Sequence, residues 1–433
     1  MARMTAPDVR ATKKPSGLAP SRAILSNGGV VVVKETQKTP SVTMNVAVRS
    51  GAVCDPVGGA GAMNLLARVI DRGTASRSAA EIAEELDGRG VTLTIGVTRH
   101  LVSLVCTCLA DDFESMIALL AEIIIAPTVP EIDLAIRRGE VITAIGQDQD
   151  SPSVRSTEEL MEMLYGPDHP YGRRLKGSLA SVERITREDL LWLHAARFAP
   201  SELTAVVVGD VEVSKALETA EGVFGHWQVP EPLPVPLARP STSAVRRSTV
   251  IPMMNKAQAD IAYGFISVAR SDPAFYAHWL MNNALGQYAL GGRLGDSIRE
   301  RQGMAYYVSS ALEAQIIEGP LLIRAGVSPE NVDRAIASID EELSKLRSQG
   351  LTERELTESR NYLIGSMPRT LETNAGIANF LQRSEVFGLG LDFDVRVPDL
   401  LRAVTLDEVN EAARRAVDPA RASIVVAGPC QKP

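Results

Sequence analysis

The feature that most restricts the fold is that part of the chain is written twice. Residues 185–210 read ITREDLLWLHAARFAPSELTAVVVGD, and residues 404–429 read VTLDEVNEAARRAVDPARASIVVAGP. Thr186 precedes Pro200 by 14 residues and Gly209 by 23, and Thr405 stands at the same 14 and 23 from Pro419 and Gly428. Each copy opens on a Thr placed to cap a helix, followed by acids in the first turn, where the helix dipole favours negative charge. Each then runs through a helix, a proline turn and a β-branched strand ending at glycine. A gapless match of this kind marks an internal repeat.

Further echoes extend it. LADDFESMIALLAEIIIAPTVPEIDLAIRRGEVITAI and VSPENVDRAIASIDEELSKLRSQGLTERELTESRNYLIG each read as an acidic cap, a long helix, a turn and a second helix with an acidic start. SVTMNVAVRSGAV alternates apolar and polar residues as a half-buried strand does, and ADIAYGFISVARS is its counterpart in the second half. Between the halves lies WQVPEPLPVPLARPSTSAVRRST, a proline-rich, semi-extended linker. The expected organisation is a flexible tail over 1–20, a first α+β domain over 21–228, a linker over 229–248 and a homologous α+β domain over 249–433. Each domain is expected to be a mainly antiparallel sheet with helices packed on one face.

Composition removes several function classes. With 45% hydrophobic and 23% charged residues over 433 positions, the chain has the make-up of a globular protein with room for two to four domains. Aromatics are only 4%, so Val, Leu, Ile and Ala must build the core. A net charge of −8 argues against a nucleic-acid footprint, which needs a basic face. No apolar run approaches the roughly 20 residues of a membrane span. The N-terminus has no apolar stretch of a secretory kind, so a cytoplasmic location is expected. The four cysteines agree with a reducing compartment. Cys106 and Cys108 share a strand face with Val102 and Leu104 and are expected to be buried thiols, while Cys54 and Cys430 have no evident partner.

Two segments carry a family resemblance. Residues 169–211, HPYGRRLKGSLASVERITREDLLWLHAARFAPSELTAVVVGDV, resemble the close of an N-terminal domain in the M16 (pitrilysin-type) zinc metallopeptidases. Residues 291–312, GGRLGDSIRERQGMAYYVSSAL, resemble that family's C-terminal-domain motif. The resemblance runs from about residue 25 to 428. It implies two domains of the metallohydrolase fold seen in LuxS and the mitochondrial processing peptidase. Such a pair of domains joins two more to enclose a chamber, as in the short members that work as dimers.

In catalytic members the segment matching GAMNLLARVIDRGT (61–74) carries His-x-x-Glu-His before Gly-Thr. There two imidazoles four apart on one helix face chelate zinc, and the Glu acts as base. The matching positions here are Asn64, Ala67 and Arg68. The family's third ligand, a Glu, matches Ala144, and the supporting acid seven residues earlier matches Arg137. Glu140 lies one turn from Ala144, but one carboxylate does not make a zinc site. By this reading the chain binds no metal cofactor, and the helix at 61–74 is an ordinary amphipathic one. It is expected to stop at Gly73, with Met63, Leu66 and Ile70 inward and Asn64, Arg68 and Asp71 on the opposite stripe.

The resemblance also implies that Arg299 and Tyr306, seven residues apart, reach a zinc site and hold the peptide carbonyl there. A fixed phenol beside a cation stabilises charge growing on that oxygen. Gly303 is expected to end the helix so that Tyr306 begins a strand, with Tyr307 on the other strand face. Gly291, Gly292 and Gly295 do not have P-loop spacing and read as a loop beside the chamber.

The function expected from these residues is that of a non-catalytic subunit of a heterodimeric zinc peptidase, acting on unfolded peptides. The zinc would belong to a partner that carries His-x-x-Glu-His, and neither nucleic acid nor membrane would be bound. The alternatives are a structural core subunit of a respiratory complex, or a homodimeric peptide-binding clamshell.

Overall fold

The computed structural model describes residues 17–287 and 291–430. The expected tail over 1–20 therefore falls largely outside the described residues.

The first half builds a six-stranded sheet from β1 (Ser21–Ile24), β2 (Val30–Glu35), β3 (Ser41–Val48), β4 (Thr92–Val97), β5 (Val102–Leu109) and β6 (Leu203–Gly209), in the order β1-β2-β6-β3-β5-β4. The second half builds five strands from β7 (Arg247–Pro252), β8 (Ala259–Ile266), β9 (Ala305–Leu312), β10 (Pro320–Val327) and β11 (Ser423–Gly428), in the order β7-β11-β8-β10-β9. Apart from β1, the two orders superpose strand for strand. In each sheet a single parallel pair, β2 with β6 and β7 with β11, sits among antiparallel neighbours.

The repeat read from sequence supplies β6 and β11 and the helices before them. Thr186 and Thr405 each close a reciprocal capping box, with Asp189 and Glu408 respectively. The repeat also reaches the edge strands. Gly90 (φ +65°) and Gly303 (φ +61°) each lie two residues ahead of an edge strand, β4 and β9, in a left-handed conformation that suits glycine.

Helices of the same half cover one face of each sheet. The opposite faces are closed by exchange. Helix Pro152–Tyr165 from the first half lays Leu160, Met161 and Leu164 on Ala262, Leu322 and Val425 of the second sheet. Helix Asn374–Val386 from the second half lays Ile377, Ala378 and Leu381 on Val32, Val206 and Val208 of the first. This corrects the reading of β3 and β8 as half-buried: both strands are buried on both faces. Their polar residues are accommodated internally. Thr43 and Thr107 pair their hydroxyls at 3.0 Å, and Asn45 donates to Asn379 at 2.8 Å.

Cys106 and Cys108 lie buried in β5 as expected, and all four cysteines are free thiols. Among the described residues no helix is long and apolar enough to cross a membrane.

Candidate functional site

Helix Ala62–Val69 is fixed at its N-terminus by Asp55. That carboxylate accepts hydrogen bonds from the backbone N–H of Gly61 and of Met63, each at 2.7 Å. Burial nonetheless pushes Asp55 up to about 6, against those two bonds and the Arg173 guanidinium. Gly61 has φ +93°, and a Cβ there would meet the Lys176 carbonyl oxygen at 2.4 Å, so the helix start rests directly on the 176–177 turn. Nothing in the spacing of Asp55 from the helix marks it as the anchor; only the folded turn brings it there.

From that anchor Met63, Leu65, Leu66, Val69 and Ile70 enter the core. Asn64 is half-buried, Arg68 is exposed, and Ala67 is buried at 6% exposure. The helix ends at Val69, short of the expected stop at Gly73. Gly73 instead bridges to Ser78, and the next residue, Thr74, bridges to Pro127, so short extended pairing terminates the element.

Helix Glu131–Gln149 packs beside this one and carries Arg137, Glu140 and half-buried Ala144. Arg137 donates to both Glu140 carboxylate oxygens at 2.8 Å, and Arg72 donates to Asp71 at 2.9 Å. The Arg137 bond holds Glu140 below the usual carboxylate range, with Arg68 and Arg72 adding smaller pulls in the same direction. Burial raises Asp71, and Arg72 and Arg137 oppose that rise. Three guanidinium groups and two carboxylates thus share one electrostatic neighbourhood.

Zinc does not fit this donor set. The motif positions offer an amide, a methyl, a guanidinium and a second methyl, and both nearby carboxylates are engaged by arginine. The Asn64 Oδ1 is buried without a hydrogen-bond partner, but a single neutral oxygen beside Arg68 is not a ligand set. Among the described residues no group of three His, Cys, Asp or Glu side chains could hold a metal. All five imidazoles are engaged elsewhere: His100 with the Tyr171 hydroxyl, and His169, His194, His226 and His278 with backbone carbonyls.

The second candidate pair lies in the other half. A widened, π-type helical turn over Gly295–Arg301 carries Arg299 near its end, Gly303 reverses the chain, and β9 begins at Ala305. Tyr306 is 81% exposed, while Tyr307 turns to the opposite face and donates to Asp260 at 2.5 Å. The Arg299 guanidinium is also exposed, its one ion pair among the described residues a 3.9 Å approach to neighbouring Glu300. No hydrogen bond joins Arg299 to Tyr306 among the described residues. Both side chains are presented outward, Arg299 from the helical turn and Tyr306 from the edge strand β9 of the second sheet.

The family model described as Insulinase (Peptidase family M16) matches residues 30–176, and that described as Peptidase M16 inactive domain matches residues 184–363. The chain belongs to the M16 peptidase family. It is 27% identical over 402 residues to an uncharacterized zinc protease of Mycobacterium tuberculosis (strain ATCC 25618 / H37Rv), spanning 92% of this chain and 91% of that one. Its fold matches the solved peptidase M16 inactive domain from Pseudomonas fluorescens at a TM-score of 0.87 and 24% identity, over 96% of this chain and all of that one. It also matches the periplasmic protease PqqL from Escherichia coli at a TM-score of 0.78 and 19% identity, over 99% of this chain but 48% of that longer one. Among M16 proteins this is an inactive, peptidase-like chain.

Proposed function

We propose that this M16 chain is the non-catalytic half of a two-subunit peptidase, operating in the cytoplasm on unfolded peptides. A catalytic M16 partner would carry His-x-x-Glu-His and the zinc. This chain would supply half the chamber wall and present Arg299 and Tyr306 across the interface. The phenol would donate to the scissile carbonyl oxygen, and the guanidinium would favour negative charge there.

The observation that carries this reading is Tyr306. In a chain with 4% aromatics, a tyrosine at 81% exposure finds no burial of its own, although its neighbour Tyr307 does. Such a ring gains most of its contact energy from another molecule. Its place on edge strand β9 favours an extended peptide, because that strand leaves backbone groups free for strand addition. The half-length match to PqqL supports pairing, since one such polypeptide spans what two chains of this size would. Four free thiols suit a reducing compartment.

The test is reconstitution. The purified chain is expected to cleave no peptide alone, and to do so when mixed with a zinc-bearing M16 chain from the same cell. Arg299→Ala or Tyr306→Phe should then lower kcat by more than tenfold while the two chains still co-elute. Full activity with both variants would refute the role of the pair and leave a scaffold.

A further inference from the structure

A cavity of about 370 Å³ lies in the second half, beside the helix Asn374–Val386 that crosses to the first sheet. Four of the chain's eight phenylalanines, Phe275, Phe380, Phe387 and Phe393, line it together with Trp279. In a chain this poor in aromatics, half of the phenylalanines therefore meet at one cavity. Apolar cavities of only about 150 Å³ already hold benzene. This one has room for a larger ring system or a medium-length alkyl chain.

Its polar lining combines the donors of two arginines and two amides with the hydroxyls of Ser366, Thr370 and Ser384. Arg270 sits with its guanidinium 3.8 Å from the Phe275 ring centre and 5.5 Å from that of Phe393, and Arg383 joins it at the cavity wall. Neither guanidinium has an ion-pair partner among the described residues, and no carboxylate lines the cavity among them. Burial disfavours the Arg270 cation, a side-chain hydrogen bond with Tyr276 opposes that, and Arg383 adds a smaller like-charge effect. Gln287 and Asn379 also line the wall, and their carbonyl oxygens already accept from Asn282 and Asn45, which leaves their amide N–H groups to donate. Arg270 is half-buried and Arg383 is exposed at the cavity wall, and a forked donor against an apolar wall matches a carboxylate on an apolar body. The chain's own N-terminal segment has the wrong sign for this role, with Arg3, Arg10, Lys13 and Lys14 against Asp8 within residues 1–16.

We infer that this cavity is a binding site for an apolar monocarboxylate, its ring or alkyl body among Phe275, Trp279, Phe380 and Phe393 and its carboxylate on Arg270 and Arg383. The site needs no partner subunit and no metal, and stands apart from the proposed role of Arg299 and Tyr306. The ligand chemistry is that of a free fatty or aryl acid, or of the C-terminal residue of a peptide.

The test is calorimetric titration of the full chain. The probes are 4-phenylbutyrate and decanoate, each against its primary amide, and Ac-Ala-Ala-Phe as the free acid against its amide. The acids are expected to bind at least tenfold more tightly than their amides. Arg383→Gln, at an exposed helix position, should weaken the acids about tenfold and leave the amides unchanged. Ala314→Trp, which places an indole into the cavity, should abolish binding of all probes while the thermal melt stays cooperative. If the tripeptide acid outbinds the two free acids, the source is a chain end; the reverse assigns a free acid. Equal binding of acid and amide, unchanged affinity in the Arg383 variant, or no heat at millimolar probe would overturn the inference.

Discussion

Asn45 in β3 donates a 2.8 Å hydrogen bond to Asn379, a residue 334 positions away in a helix belonging to the other half of the chain. The bond sits where the exchanged helix lies on the first sheet, and Asn45 is 3% exposed there. Its counterpart by symmetry is the seat of Leu160 against the second sheet, where Ser153 of the exchanged helix meets the Tyr307 hydroxyl of β9 at 3.4 Å. The halves therefore interlock, and neither sheet has both faces closed without the other half.

Interlocking predicts a single unfolding transition. Leu160 and Leu381 are each fully buried at an exchanged contact, one on each sheet. Truncating either to Ala should cost about 2–5 kcal/mol of stability for the whole chain. Urea unfolding followed by tryptophan fluorescence and by far-UV circular dichroism should give coincident curves for both variants. A fragment spanning 21–228 alone should expose the face of β3 and β6 and fail to give a cooperative melt. Two separated transitions, or a well-folded fragment, would contradict the interlock.

The same contacts explain what was legible in the sequence. The repeat was, because Thr caps, acidic first turns and β-branched strands act over a few residues and recur at fixed offsets. The burial of β3 on both faces was not. Thr43 and Asn45 look outward by alternation, and only a helix more than 300 residues away supplies the cover and, for Asn45, the polar partner. The aromatic cavity was hidden for a related reason, since its wall is assembled from segments between Arg270 and Val397 that no local periodicity links.

Acid should destabilise the chain through His100. Its imidazole is buried at 2.6 Å from the Tyr171 hydroxyl, and burial first, then the Arg99 charge, push it down to about 4 from an ordinary 6.5. The unfolded state then binds more protons than the folded one between those two values, so stability falls as pH drops from about 6.5 toward 4. The whole effect amounts to about 3 kcal/mol at most. His100→Gln removes the titration. Urea midpoints measured from pH 7 to pH 4 should therefore fall less steeply in the variant. Parallel pH profiles for the two proteins would remove His100 from the account.

Restoring the missing ligands should create a zinc-dependent stability that the natural chain lacks. Wild-type protein dialysed against micromolar zinc is expected to retain far less than one equivalent by elemental analysis. In the variant combining N64H, A67E, R68H and A144E, a carboxylate enters the buried position of Ala67. Without metal that burial should cost about 1–3 kcal/mol. Zinc binds only the folded form of such a site, so added zinc should raise the melting temperature in a concentration-dependent way. Stoichiometric zinc in the wild type would refute the misfit. A variant melt indifferent to zinc would show that the helices Ala62–Val69 and Glu131–Gln149 no longer hold the ligand geometry.

Adjacent tyrosines give the sharpest separation of structure from function. Tyr307 donates to Asp260, a residue 4% exposed whose carboxylate among the described residues otherwise accepts only from the Gln258 amide, at 3.2 and 3.3 Å. Removing the phenol leaves a buried carboxylate short of a donor, which costs about 1–3 kcal/mol. Tyr306 makes no comparable bond and is exposed, so losing its hydroxyl should leave stability within about 0.5 kcal/mol of wild type. Urea denaturation of Tyr307→Phe and Tyr306→Phe should therefore show a lowered midpoint in the first and none in the second. In the reconstituted pair the order should invert, with Tyr306→Phe losing turnover and Tyr307→Phe keeping most of it below the denaturation range. If Tyr306→Phe destabilises the isolated chain as much as Tyr307→Phe does, the Tyr306 hydroxyl has an internal structural task. Its exposure on β9 would then no longer point to a neighbouring subunit.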